Sequence, residues 1–208
     1  MLRDVRLEPR PFGRTGLRAT PLGLACNFGI DAEGVERAWL DHGVSYFFVT
    51  QRASAGVEGI RRLVAGGHRD RIVIASGASV PFGWSVRREW EKSARALGVD
   101  VIDVFHLFWV QAHWYVTGNT WKEMQKLKEE GKVRALAISI HDRKMATRLA
   151  GELGLDALMI RYNAAHRGAE REIFEPLEGP NRPAMIAYTA TRWGKLLEAK
   201  GPCARRAT

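Results

Sequence analysis

The stretch Asp100-Val101-Ile102-Asp103-Val104-Phe105-His106-Leu107-Phe108-Trp109 decides the fold of this chain. It is an apolar run rich in β-branched and aromatic residues, the composition of a strand buried on both faces. Runs of the same kind recur at 22–27, 45–50, 71–76, 133–140, 156–162 and 184–189. Helical patterns begin between them, near Asp31, Ser54, Trp84, Thr120, Asp142 and Arg167. Short apolar runs separated by helices argue for parallel strands joined by right-handed crossovers. Ahead of the first run, the segment from Arg10 to Leu24 is punctuated by Gly13, Gly16 and Pro21 and reads as a short hairpin.

Individual helices support this reading. Thr120-Trp121-Lys122-Glu123 matches a capping box, with Trp121, Met124 and Leu127 at helical spacing behind it and Gly131 as the stop. Asp142 is placed to cap the next helix, whose Met145, Leu149 and Leu153 share one face. The Trp and Met residues are core candidates. The count is seven strands and about seven helices, where a closed (β/α)8 barrel needs eight of each. The expected architecture is therefore α/β, of the TIM-barrel type, truncated after about the seventh strand. Residues 1–200 form the domain and 201–208 a tail. An unclosed barrel exposes two strand edges, which makes self-association through them an expectation.

The totals fit a single domain. The chain has 208 residues, 46% hydrophobic and 26% charged. No apolar run reaches the length of a membrane span, and the charged start, Met1 to Glu8, has no signal-peptide stretch. Cys26 and Cys203 lack metal-ligand spacing, and no metal cluster is expected. A reduced, cytoplasmic setting is the simplest expectation. The net charge of +9 raises the question of nucleic acid. The basic residues are dispersed, in pairs such as Arg61-Arg62 and Arg87-Arg88, without basic-aromatic interleaving, so a solvated ring of helices is preferred and no nucleic-acid partner is expected.

Several stretches together carry a family resemblance. They are Phe12-Gly13-Arg14-Thr15-Gly16-Leu17, Leu97 to Asp103, Glu130-Gly131-Lys132-Val133-Arg134-Ala135, Ile160-Arg161-Tyr162-Asn163, Ile186 to Thr189, and Trp193 to Leu197. In order and spacing the chain resembles the aldo-keto reductases. The resemblance implies an NADP-dependent oxidoreductase barrel acting on a carbonyl or alcohol. In that family a Tyr donates a proton, assisted by Lys, Asp and His, at the ends of the second to fourth strands. The matching positions here are Phe48, Ala53, Gly77 and Phe108. None can titrate or donate a side-chain hydrogen bond. The resemblance also implies cofactor contacts by Ser139, Asn163, Tyr188 and Thr189, while Met159 stands where a Gln holds the nicotinamide amide. The family segment around the adenosine phosphate lies past the seventh strand, so weak or absent NADP binding is expected.

Other groups near the expected mouth are His113, Tyr115 and His141. His141 is the best remaining acid-base candidate for catalysis. His106 and Tyr46 should lie inside the barrel as core. Arg161 and Arg192 meet either an anion at the mouth or an ordinary surface carboxylate. Trp109 with His113-Trp114-Tyr115 makes an aromatic loop, a lid or a partner contact. The reading is an aldo-keto-reductase-like protein, by resemblance an NADP-dependent oxidoreductase of carbonyl or alcohol substrates with the usual Asp, Tyr, Lys and His absent; the alternative is a catalytically silent scaffold that binds a ligand or partner through the same mouth.

Overall fold

The computed structural model describes residues 6–198. A two-stranded antiparallel hairpin, β1 (Arg10–Pro11) and β2 (Arg18–Ala19), precedes a sheet of seven parallel strands. These are β3 (Gly23–Ala25), β4 (Tyr46–Phe48), β5 (Val73–Ala78), β6 (Ile102–Val110), β7 (Val133–Ile140), β8 (Ala157–Arg161) and β9 (Ala184–Tyr188). They neighbour one another in sequence order, as expected for a (β/α) barrel wall. β3 and β9 are the two ends of that order and are not paired to each other.

Five α-helices cover the outside of the sheet: α1 (Ala32–Leu40), α2 (Ser54–Ala65), α3 (Gly83–Leu97), α4 (Asn119–Glu129) and α5 (Arg143–Leu153). The expected count of about seven was too high among the described residues. The pattern that begins near Arg167 yields only a short π-helical turn, Glu170–Phe174. Pro176, Pro180 and Pro183 follow it and cannot continue a helix. The strand starting near 71 begins instead at Val73, because Arg69–Arg71 form a 3-10 turn. The expected tail, 201–208, lies outside the described residues, as does Cys203.

One helix start is also corrected. α4 begins at Asn119 without a side-chain cap. Thr120 Oγ1 instead donates to the Pro81 carbonyl at 2.7 Å, and Glu123 pairs with Arg87 on α3. Tertiary contacts took both members of the expected capping box. Asp142 does cap α5, accepting from the Met145 N–H at 2.9 Å.

The strand period sorts side chains into two layers. Outward residues such as Phe105, Leu107, Leu136, Ile138, Leu158 and Ile160 pack with α3, α4 and α5. Phe47, Ile74, Ile60 and Leu63 do the same under α1 and α2. Inward residues form a third cluster of Tyr46, Val73, Ala75, Val104, Ala135, Ala137, Ala157 and Ala184, onto which Phe12 and Leu17 of the hairpin fold. The hairpin thus plugs the N-terminal end of the barrel. Gly13, at φ +54°, makes this possible, since a Cβ there would sit 2.8 Å from the Ala184 nitrogen.

Two buried carboxylates tie neighbouring strands at that end. Asp103, fully buried on β6, accepts from the Ile74 N–H of β5 at 2.7 Å and from Arg69 and Arg134. Asp156 repeats the arrangement before β8, accepting from the Leu136 N–H of β7 at 2.8 Å and from Lys128. The N-terminal end is therefore built for stability, which leaves the C-terminal end of the strands for function.

Candidate functional site

The C-terminal strand ends form two unlike walls. On β4 to β6 the positions are apolar and filled. Phe48 meets Phe108 edge to face with ring centroids 5.4 Å apart. The His106 ring stacks under Phe108 at 5.7 Å and meets Phe48 edge-on at 5.9 Å. Gly77 lies between them on β5, opposite His106 in register. A Cβ at Gly77 would lie 2.7 Å from Phe108 Cζ and would overlap the His106 carbonyl oxygen. The missing side chain is thus a requirement of the packing. Ala53 sits at the start of α2 and packs against the core of that helix layer.

Two polar side chains are buried within the barrel without partners. Neither ring nitrogen of His106 has a hydrogen bond, and burial pushes its pKa down to about 3. The imidazole is neutral near pH 7 and cannot serve there as an imidazolium acid. The Tyr46 hydroxyl is also unpartnered, packs by Phe12 at 5.6 Å, and is pushed above the ordinary phenol range by burial. Both occupy the core positions expected of them. Among the described residues no Lys lies within hydrogen-bond distance of a Tyr hydroxyl. Cys26 is likewise inert, its thiol pushed up to about 12 by burial.

On β7 to β9 the wall is polar. His141 directly follows β7, Arg161 ends β8 and Tyr188 ends β9, with Arg161 and Tyr188 opposite each other in register. The Tyr188 hydroxyl and His141 Nδ1 share a hydrogen bond at 2.6 Å, and the two rings meet nearly perpendicular at 5.4 Å. Burial raises the Tyr188 pKa and the Arg161 charge opposes that rise, so the phenol stays protonated. One layer below lie Ser139, Met159 and Ile186.

The other residues singled out in the sequence are engaged within the protein. Ser139 Oγ accepts from the Trp109 N–H at 2.8 Å, stabilising Trp109 in the left-handed region at φ 53°. Asn163 Nδ2 donates to the Thr189 carbonyl at 2.9 Å. Its Oδ1 accepts from the Ala165 N–H and from His166 Nδ1. Thr189, at φ 53°, has a buried hydroxyl without a partner. His113 turns away to Glu152 at 3.0 Å, and Tyr115 packs on Trp114 at 4.5 Å. Arg192 lies just past β9, also at positive φ. The sequence reading missed the Tyr188–His141 bond and the Ser139–Trp109 clamp. Strand alternation carries the signal for the first, because 139/141, 159/161 and 186/188 all point inward. No group of His, Cys, Asp and Glu able to hold a metal occurs among the described residues. No helix among them is long and apolar enough to cross a membrane.

The aldo/keto reductase family model matches residues 60–205, more than half of the chain. The chain belongs to the aldo/keto reductase family. An Escherichia coli relative, an NADH-specific methylglyoxal reductase, is 28% identical over 114 residues, which is 54% of this chain. That match spans 35% of the relative, about a third of its length. Among solved structures, an aldo-keto reductase from Pseudomonas aeruginosa superposes with a TM-score of 0.75 at 22% identity, covering 90% of this chain and 80% of that one. The holo form of a Bacillus halodurans aldo-keto reductase superposes with a TM-score of 0.78 at 18% identity, covering 92% and 69%. At these identities the structural likeness concerns the fold, and it agrees with the parallel barrel wall. The chain is thus a member of an oxidoreductase family, and its parallel barrel wall agrees with that membership.

Proposed function

We propose that this chain is a catalytically silent family member, a barrel that binds a small ligand at its strand-end mouth. In this reading it does not carry out NADP-dependent reduction of carbonyls, or oxidation of alcohols, by the family's Tyr-Lys relay. One observation carries the proposal: at Gly77 there is no room for any side chain, because Phe108 and the His106 carbonyl fill that space. Phe48 and Phe108 close the same region with apolar surface. Removing several polar groups together leaves no orphaned charge behind, which is the physical condition for a quiet loss of function.

The residues on the polar wall do not fit a nicotinamide carboxamide. Asn163 spends its oxygen, and one amide hydrogen, inside the protein. Ser139 accepts from Trp109, and Met159 supplies no strong donor or acceptor. Tyr188 keeps an aromatic face, but its hydroxyl is bound to His141. Losing two or three contacts of about 1.5–3 kcal/mol each weakens binding roughly a hundredfold or more. Calorimetric titration with NADPH and with NADH, the cofactor named for the E. coli relative, checks this. The expected result is weak or absent heat of binding. Tight binding that Tyr188→Ala abolishes would overturn the reading.

A second reading rests on the 2.6 Å Tyr188–His141 bond. There the pair acts as a rebuilt acid on the opposite wall of the mouth, and the chain remains an oxidoreductase. Turnover lost in His141→Ala would favour it.

A further inference from the structure

The geometry points to a recognition site for a small organic carboxylate, built from Arg161, His141 and Tyr188 over an apolar floor of Met159 and Ile186. This rests on the ligand-binding reading above and names the chemical class of the ligand. Three successive strands place these side chains on one inward-facing rim: His141 after β7, Arg161 at the end of β8, Tyr188 opposite it on β9. Arg161 is half-buried, yet no carboxylate among the described residues pairs with it. Of the other partly buried arginines, Arg69, Arg87 and Arg143 pair with carboxylates and Arg182 lies over the Phe174 ring, whereas Arg192, like Arg161, has neither partner among the described residues. A guanidinium on the inner face of the sheet without a counter-charge is the part that fits a planar carboxylate in two-point fashion.

The neighbours define the rest of the ligand. Arg161 is close enough to Tyr188 for its charge to act on the phenol. The Tyr188 hydroxyl and His141 Nδ1 share a hydrogen bond, which fixes these two polar groups together beside Arg161. One fixed positive charge suits a monoanion better than a phosphate dianion, which calls for several cations or a nest of backbone N–H groups. Met159 and Ile186 lie one residue pair deeper on the same strands and offer apolar surface to a short carbon chain.

The test is a proton NMR titration of the full chain at low salt with acetate, butyrate and inorganic phosphate. The imidazole signal of His141, identified by its loss in His141→Gln, is the readout. The expected result is a saturable shift with butyrate binding about tenfold tighter than acetate, from its two extra methylenes on the apolar floor. Arg161→Gln weakens both at least tenfold, and Arg88→Gln, an exposed arginine on α3, changes neither. Ile186→Ala erases the preference for butyrate, a check that holds even if Arg161→Gln folds poorly. No saturable shift with either acid, equal binding by Arg161→Gln, or phosphate binding as tightly as butyrate overturns the proposal. Aldehyde turnover, which would sink the silent reading, is a separate measurement and leaves this result intact.

Discussion

The β4–β6 wall and the β7–β9 wall stand at the same end of one barrel and have opposite chemistry. The first is a stack of Phe48, His106 and Phe108 closed over Gly77. The second carries His141, Arg161 and Tyr188 on its rim and bonds its own backbone through Ser139 and Asn163. The difference teaches that packing, once apolar, locks a site in that state. A polar group returned to the first wall has neither space nor partner, while the second wall tolerates exchange because it faces the mouth.

Breaking the first wall should have the largest effect. Gly77→Lys forces a Cβ into the His106 carbonyl and the Phe108 ring. We expect a loss of more than about 3 kcal/mol, above the usual cost of an overpacked core. Thermal unfolding would show it as a drop of roughly 6–12 °C, at about 2–4 °C per kcal/mol for a chain of this size. A Gly77→Lys protein as stable as the parent would show that this wall is loosely packed.

Acid provides the next test. The folded-state pKa of His106 lies at about 3, below the ordinary value of 6.5, because burial disfavours the charged ring. The unfolded chain therefore binds the extra proton first. Stability is fully present above pH 6.5 and falls as pH drops from there toward 3. Linkage gives a loss on the order of 2–3 kcal/mol by pH 4.5. Denaturant midpoints across that range should fall less steeply in His106→Leu. Identical slopes in the two proteins would mean that the ring finds a proton-stabilising partner inside the barrel.

Exchanges on the second wall should be milder. Ser139→Ala removes the acceptor for the Trp109 N–H and should cost about 1–2 kcal/mol, since that residue is held at positive φ. Tyr188→Phe loses one hydrogen bond at a partly open site and should cost about 1 kcal/mol or less. Chemical denaturation of both variants checks the ranking, and a Tyr188→Phe cost above that of Ser139→Ala would reverse it.

Much of the fold was legible in the sequence because strand alternation and helix caps are local signals. All seven parallel strands, the hairpin and the Asp142 cap follow from such patterns. What was not legible depended on distant partners. Thr120 and Glu123 satisfy a local capping pattern, but Pro81 and Arg87 compete for them across the α3–α4 contact. The same holds at the mouth. The types of Phe48, Gly77 and Phe108 could be read, but the overlap that excludes a side chain at Gly77 needs the β5–β6 register. His141 could be picked as an acid-base candidate, and alternation puts Tyr188 on the same inner face, but their pairing needs the register of β7, β8 and β9.

The most direct test of the central claim is steady-state oxidation of NADPH and of NADH by the purified chain with methylglyoxal and simple aldehydes. The account predicts no rate above the protein-free background with either cofactor. A robust rate with either cofactor would contradict it, and loss of that rate in His141→Ala would place the proton donor on the β7–β9 wall.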